Sequence, residues 1–326
     1  MVLSEINRNL LNLLTIRRGE ESHEQSIIMQ LDQLLKPYSD PESTISIKDI
    51  MTSPLDDQGN TSLLIASKSD YRQNYSLSNK DTIIGKLLEL GSNPNAQDDQ
   101  GNTPLMSIIG RRDDVGAVKS LLEFGADPNL QNQKQHTVLM YASQFNRIKS
   151  IELLTENKVS TNQISSDGWT ALKIAAFNGN TKAAELLIDG GADIDLGDPK
   201  LEISPLMFAV FHNKHETTKL LLKKGADPNK ETIDGRTALS FAASQRNVEM
   251  IVLLLEHGSN LDQRDYEALK KIESKHPKII KTLKERSQEL KQDQASQSNP
   301  NQDPANMTAK QLQETFNRSL GWRTPE

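Results

Sequence analysis

Residues 167–180 read DGWTALKIAAFNGN, and the run AAELLIDGG follows at 183–191. A turn containing glycine precedes Thr170, whose hydroxyl is of the type that caps the first turn of a helix. A polar turn at 178–180 separates the two apolar runs. Gly191 ends the second run, because glycine readily takes the left-handed conformation that stops a helix. The stretch therefore predicts two short helices joined by a tight turn.

The same pattern occurs six times along the chain. Each copy starts with Thr or Ser and has leucine two positions later, and five of the six copies have alanine five positions after the start. After a first interval of 42 residues, the starts are 34, 33, 34 and 33 residues apart. A fixed period of this length is typical of stacked repeats. The six starts are Thr61, Thr103, Thr137, Thr170, Ser204 and Thr237.

These copies resemble the ankyrin repeat, in the stretches GNTPL at 101–105 and GADPN at 125–129 and 225–229. The resemblance covers 56–263, about two-thirds of the chain. It implies an all-α ankyrin-repeat solenoid of about six helix-turn-helix repeats. It also implies hairpin fingers, the loops that precede the first helix of each repeat. Members of this family usually bind ligands on these fingers and on the adjoining concave helix surface, and a fold alone does not specify a site.

Several departures from the repeat predict local changes. The first repeat carries about nine extra residues around 69–78, which predicts a projecting loop. In the third repeat, Gln135 replaces the finger glycine and Lys158 replaces the closing glycine. In the fifth repeat, Glu202 replaces the finger glycine and the tip at 195–202 is longer. We therefore expect altered fingers in the third and fifth repeats.

The flanks of the array are organised differently. Apolar residues at helical spacing in 1–55 predict an N-terminal helical cap, with a separate binding element as the alternative. Residues 264–290 are expected to form polar C-terminal capping helices. The Gln-, Asn-, Ser- and Pro-rich composition of 291–306 predicts disorder, and 307–326 reads as a short amphipathic tail, so that 291–326 is a linker and tail.

Composition excludes several classes of function. The net charge is −6, which gives no basic surface for nucleic acid. The sequence has no cysteine and no run of eighteen apolar residues, so we expect neither thiolate metal sites nor membrane insertion. We expect no cofactor, no metal, a monomeric state and a cytoplasmic location.

No catalytic motif stands out from the sequence. His212 and His215 are three residues apart, but they lie in a turn between repeat helices, where a structural role is favoured over a metal pair. The phosphate-binding, zinc-protease and nucleophile-elbow motifs are absent. The sequence therefore predicts a non-catalytic protein-interaction scaffold. The alternatives are a regulatory subunit or inhibitor of an enzyme, or an enzyme whose site involves 1–55.

Aromatic residues gather at the expected ligand-facing positions of repeats three to five. Aromatic side chains are common among the residues that carry most of the binding energy at protein interfaces. The alternative is that these rings pack as core, which we expect for Tyr141, Phe208 and Phe241. The predicted partner-binding residues are Phe145, Trp169, Phe177, Phe211, His212 and Arg236.

The loose repeats and polar tail also resemble ankyrin-repeat effectors that intracellular bacteria deliver into host cells. Delivery signals of such effectors often lie in a flexible polar C-terminus, which 291–326 could provide. This resemblance implies export into a host cell through a C-terminal signal.

Overall fold

The computed structural model describes residues 2–15, 24–40, 43, 45–69 and 82–260. Within these ranges the protein has fifteen α-helices, one 3-10 turn and no β-strand. The all-α class is therefore confirmed. The chain divides into two compact units, Met1–Gln163 and Ile164–Glu326, with the boundary between the third and fourth repeats.

The first unit contains three N-terminal helices and three repeats. The N-terminal helices are α1 Val2–Leu14, α2 Glu24–Leu35 and α3 Ile47–Thr52. The repeats are the pairs α4 Ser62–Lys68 with α5 Ile83–Glu89, α6 Pro104–Arg111 with α7 Val115–Glu123, and α8 Val138–Gln144 with α9 Ile148–Glu156. First helices pack on first helices and second helices on second helices, as in a solenoid. Helix α1 packs on α4 and α2 on α5, which buries Leu10, Leu14 and Leu31 completely.

The second unit contains three more repeats. They are the pairs α10 Ala171–Asn178 with α11 Thr181–Asp189, α12 Pro205–Phe211 with α13 His215–Lys223, and α14 Ala238–Ser244 with α15 Val248–Glu256. Helix α12 packs on both α10 and α14, and α11 packs on α13. Small residues such as Ala175 and Ala209 are fully buried where the first helices approach one another.

The helices begin where the capping residues predict. In five repeats the starting hydroxyl accepts a hydrogen bond from the backbone N–H three residues later, at 3.1–3.4 Å. Thr61 is the exception and makes no such side-chain cap. The closing glycines, Gly191 among them, have positive φ angles as expected.

Each finger is a tight turn held by the side chain of its first residue. Asp98 shows the pattern: its carboxylate accepts the backbone N–H groups of Gln100 at 3.0 Å and Asn102 at 2.8 Å. Such side-chain acceptors satisfy backbone donors that a short turn leaves unpaired. The equivalent first residues of the other fingers are Asp56, Asn132, Ser165, Asp198 and Thr232.

The two finger predictions have different outcomes. The third finger keeps the usual turn, since Gln135 has φ 58° and its N–H bonds the carbonyl of Asn132 at 2.8 Å. The prediction of an altered third finger is therefore wrong for the backbone, because glutamine can take the left-handed conformation at some energetic cost. The fifth finger is altered as predicted: the turn closes from Glu202 to Asp198, one residue longer than elsewhere.

Several predicted features lie outside the described residues. Apart from Ser69, the predicted loop at 69–78 is among them. The predicted capping helices at 264–290 and the linker and tail at 291–326 also lie outside the described part of the chain.

Candidate protein-binding site

An open groove of about 360 Å³ lies in the first unit, between the fingers of its first two repeats and the first helices of all three. We call it the groove. Fingers of the first two repeats form one side, and residues of α4, α6 and α8 form the other. The residues that define it are Lys68, Asp98, Asn102, Gly110, Tyr141 and Phe145.

A continuous chain of polar contacts forms the floor of the groove. The Lys68 ammonium donates to Asn60 Oδ1 at 2.8 Å and pairs with Asp98 Oδ2 at 2.8 Å. Only 3% of the Asp98 side chain is exposed. Burial acts to raise the pKa of Asp98, but hydrogen bonds from Lys68 and the backbone outweigh it and hold the pKa below its ordinary value. The floor therefore carries an ionised, already paired carboxylate.

The floor continues to a tyrosine at the far side. The Tyr141 hydroxyl donates to Asn102 Oδ1 at 3.0 Å, and the Asn132 amide donates to the same oxygen at 2.9 Å and to the Tyr141 hydroxyl at 3.2 Å. Burial raises the pKa of Tyr141, with the Asp98 charge adding to the effect. Tyr141 is only half-buried and lines the groove, so its assignment to the core is wrong.

Phe145 forms an exposed aromatic wall. Its ring stacks with Tyr141 at a centroid distance of 6.5 Å, and 42% of the residue is exposed. Both rings lie against Gly110, where an added Cβ would be 3.6 Å from Tyr141 and 3.9 Å from Phe145. The Arg147 guanidinium lies 5.6 Å from the Phe145 centroid and donates to the carbonyls of Ile109 and Arg111. The ring is therefore held in place while remaining open to solvent.

The aromatic residues of the second unit pack mainly with one another. Trp169 lies 4.9 Å from Phe208 and 5.5 Å from Phe177, and Phe211 lies 5.8 Å from Phe241. Phe208 and Phe241 are 1% and 4% exposed, which confirms them as core. Trp169 and Phe211 are only 7% and 6% exposed, so the packing alternative describes their main contacts.

The other predicted site residues have mixed surroundings. Phe177 and His212 are half-buried, with their rings 4.3 Å apart, and burial together with Lys214 lowers the pKa of His212 to about 4. Arg236 pairs with Asp234 at 3.0 Å. Phe145 belongs to the first unit and the other five predicted residues to the second. Their contact with a partner stays a prediction.

Sequence reasoning missed Lys173, which is 1% exposed in the second unit. Its ammonium donates to the Gly168 carbonyl at 2.6 Å, lies 3.6 Å from Asp198 Oδ2 and 5.5 Å from the Phe208 ring. The sequence did contain a signal for it. Lys173 stands three residues after its repeat start, where three other repeats carry methionine: Met106, Met140 and Met207. Its enclosure gives Lys173 a structural role, joining the fourth finger to the fifth.

The described part of the chain shows neither metal-binding nor membrane-spanning features. No group of three or more His, Cys, Asp or Glu side chains within the described ranges is arranged to hold a metal ion. Among the helices described, none is long and apolar enough to cross a membrane.

Comparison with known proteins agrees with this geometry. The family described as ankyrin repeats (3 copies) matches residues 74–164, 109–198 and 206–294, together about two-thirds of the chain. The chain is 33% identical over 110 residues to the mouse B-cell lymphoma 3 protein homolog, and 37% identical over 130 residues to an ankyrin repeat protein of fowlpox virus. It is 36% identical over 95 residues to mouse inversin.

Each match covers only part of this chain and only part of the relative. They cover 34%, 38% and 29% of this chain, and 25%, 38% and 9% of the three relatives, in the order given. The matched stretch is therefore well under half of each of these relatives. On the family match and the helix pairs of both units, the chain belongs to the ankyrin repeat family.

Proposed function

We propose that this protein is a non-catalytic scaffold that holds a protein partner in the groove of its first unit. Ankyrin repeats indicate a protein-interaction scaffold, and the groove is the surface that we propose for this role. The observation that carries the proposal is Phe145, an aromatic ring that is 42% exposed yet fixed by Tyr141, Gly110 and Arg147.

The polar floor supports this role because its groups are already paired. Lys68 and Asp98 satisfy each other, and Asn102 accepts bonds from Asn132 and Tyr141. A partner that covers them leaves no new buried charge without a counter-charge. A surface that is ordered before binding also loses little conformational entropy when the partner arrives, so more of the contact energy becomes affinity.

Within each repeat, the groove uses the same positions as the surface predicted from sequence. However, it lies in repeats one to three, whereas the predicted surface lies in repeats three to five. Phe145 belongs to both. Phe177, His212 and Arg236 are half-exposed in the second unit and remain candidates for a second contact area. Trp169 and Phe211 are better suited to supporting such an area than to forming it, because each is less than 8% exposed.

The test is affinity capture with the full chain and two matched variants. Phe145→Ala removes the ring from the groove, whereas Phe124→Ala removes a ring of similar exposure, 40%, at the end of α7. We expect Phe145→Ala to weaken partner capture by about 30-fold or more, as for a central interface residue. Phe124→Ala should retain the partner. Equal capture by both variants would place the contact elsewhere.

Action inside a host cell is a further proposal, which rests on the resemblance of the polar tail to that of delivered effectors. An intracellular site of action and export into a host cell would depend on 291–326, and removal of 307–326 in a bacterial export assay tests the signal. Unchanged export would end that proposal.

The regulatory-subunit and enzyme alternatives are separated by assaying the isolated protein: small-molecule turnover would overturn the non-catalytic assignment.

A further inference from the structure

We infer that the groove accepts an arginine side chain from an extended segment of the partner. The inference rests on the proposed function and adds the chemistry of the ligand. In this arrangement the guanidinium lies between the acidic finger of the second repeat and the exposed aromatic ring of Phe145.

The size of the groove favours side chains over a whole secondary-structure element. Its volume of about 360 Å³ is at the lower end of the roughly 300–1,000 Å³ that is typical of ligand pockets. It is open to solvent. An extended segment that inserts one or two side chains fits these dimensions.

The groove is lined by two cationic and two acidic side chains, so its preference for a cation depends on which of them are already paired. They are Lys68, Arg111, Asp98 and Asp99. Lys68 is already committed to Asp98 and Asn60. The exposed carboxylate of Asp99 makes no ion pair or hydrogen bond with the described residues, although its backbone is fixed by a 2.8 Å bond from the Gln133 amide to its carbonyl. Asp99 therefore offers an unpaired negative charge to a ligand, from a backbone that is held in place.

The remaining lining supplies what a guanidinium needs beyond charge. A guanidinium is planar, stacks on aromatic faces and donates up to five hydrogen bonds. Phe145 and Tyr141 supply aromatic surface, and the side chains of Gln58, Gln100 and Ser107 supply acceptors. The protein itself shows that this ring tolerates a guanidinium, since Arg147 lies 5.6 Å from the Phe145 centroid.

An acidic partner segment fits the groove less well. Neither cation of the lining is free to pair with it, since Lys68 is neutralised by Asp98 at 2.8 Å and Arg111 already has a partner, and it would meet Asp99. Like-charge contact of this kind costs affinity. A purely apolar segment would cover Asp99 without supplying a counter-charge.

The experiment uses biotinylated dodecapeptide libraries, random except for one fixed central residue. Arginine, citrulline, lysine, glutamate and leucine are compared for binding to the full chain at 50 mM and 500 mM NaCl. Citrulline keeps the shape of arginine without the charge. We expect the arginine library to bind about 5- to 10-fold more than the citrulline and glutamate libraries, and to lose most of that advantage at high salt.

Two pairs of variants locate the effect. Asp99→Asn should lower arginine preference about 5-fold, whereas Asp167→Asn, a change at an exposed finger of the second unit, should leave it unchanged. Phe145→Leu keeps apolar bulk without the aromatic face and should also lower the preference, whereas Phe124→Leu should not. Urea unfolding of each variant confirms that the fold is retained.

The possible failures are distinguishable. If all libraries bind equally and Phe145→Leu weakens them all, the groove binds peptides and the arginine inference is wrong. If glutamate is preferred, Arg111 is the recognising charge and the inference is again wrong. If no library binds, or binding is insensitive to Phe145 and Asp99, both the inference and the proposed location of the partner site fail.

Discussion

The ammonium of Lys173 lies 3.6 Å from a carboxylate oxygen of Asp198, with 1% of the Lys173 side chain and 12% of the Asp198 side chain exposed. The two residues depend on this contact unequally. Asp198 also accepts backbone N–H bonds from Lys200, Leu201 and Ile203. Among the described residues, Lys173 has one other acceptor, the carbonyl of Gly168. Loss of the carboxylate charge should therefore cost more than loss of the ammonium.

Asp198→Asn is expected to lower the free energy of unfolding by about 1–3 kcal/mol, because it leaves a buried ammonium without its counter-charge. Lys173→Met should remain within about 1 kcal/mol of wild type, since methionine is well tolerated in packed interiors and stands at this position in three other repeats. Urea unfolding followed by Trp169 fluorescence, in a Trp322→Phe background, measures both. Equal losses in the two variants would contradict the asymmetry.

Lys173 also makes stability depend on pH in the alkaline range. Burial lowers its pKa from the ordinary value of 10.5 to about 8, with Asp198 partly opposing the shift. Between these values the unfolded chain binds the proton more readily than the folded chain. Stability should therefore rise from pH 8 to 10.5, by at most about 1.4 kcal/mol per pH unit from this group. The measurement is the difference between wild type and Lys173→Met; a difference independent of pH would refute it.

The repeat explains why the fold was predictable and the exposure of single rings was not. Thr170 caps its helix whatever packs against that helix, so its role follows from local sequence. Phe145 and Phe211 stand eight and seven residues after their repeat starts. Phe211 meets the large ring of Phe241 in the next repeat, whereas Phe145 remains 42% exposed. Burial of a ring depends on the side chain one repeat away, which a period does not reveal.

The same limit applies to the polar contacts. The sequence shows that Lys173 is a charged residue at a repeat position where three other repeats carry methionine. Its partner is not, because Asp198 reaches it from a finger whose turn is one residue longer than the others. The groove floor is similar: Lys68 and Asp98 are thirty residues apart, and only the stacking of repeats brings them within 2.8 Å.

Asp195 stands where asparagine links successive repeats elsewhere. Asn95 donates to the Gly125 carbonyl and accepts from the Asp127 N–H, and Asn229 donates to the Gly258 carbonyl. Asp195 accepts from the Asp227 N–H at 3.1 Å, but an ionised carboxylate has no proton to donate. Burial raises the pKa of Asp195, with the Asp227 charge adding to the effect.

Asp195→Asn should therefore stabilise the protein by about 0.5–1.5 kcal/mol at pH 7, the value of one added hydrogen bond. Because the folded pKa is raised, the penalty from Asp195 is present at neutral pH and disappears as the pH falls below both pKa values. The gain from the substitution should shrink accordingly in acid. Chemical denaturation of both proteins at pH 7 and pH 4 measures this, and a gain that grows in acid would be inconsistent with it.

Lys158 carries a backbone cost that its repeat equivalents avoid. It closes the third repeat with φ 55°, where five other repeats have glycine. Its side chain is exposed, so replacement loses little packing. Lys158→Gly should stabilise the protein by about 0.5–1 kcal/mol, since relief of the left-handed strain exceeds the added flexibility of the unfolded chain.

Gly191→Lys provides the reverse change at an equivalent position. Gly191 has φ 93° and no atom within 4 Å of a Cβ placed on it, so the backbone alone should determine the cost, about 1–2 kcal/mol. Thermal unfolding followed by circular dichroism should show a higher midpoint for Lys158→Gly and a lower one for Gly191→Lys. Shifts of the same sign in both variants would show that the closing position does not act through its backbone conformation.

Phe145 and Phe211 should separate binding from stability. Phe211 is 6% exposed and packs against Phe241, so Phe211→Ala should cost about 3–5 kcal/mol through loss of buried surface and the cavity left behind. Phe145→Ala removes a ring that is 42% exposed and should cost about 1 kcal/mol or less. Urea unfolding measures stability, and partner capture is compared below the unfolding transition of each variant.

If Phe211→Ala keeps its stability and loses the partner, Phe211 is a contact residue, as its sequence position predicts. If Phe145→Ala unfolds the protein, its ring is core, and the groove loses the observation on which its function rests.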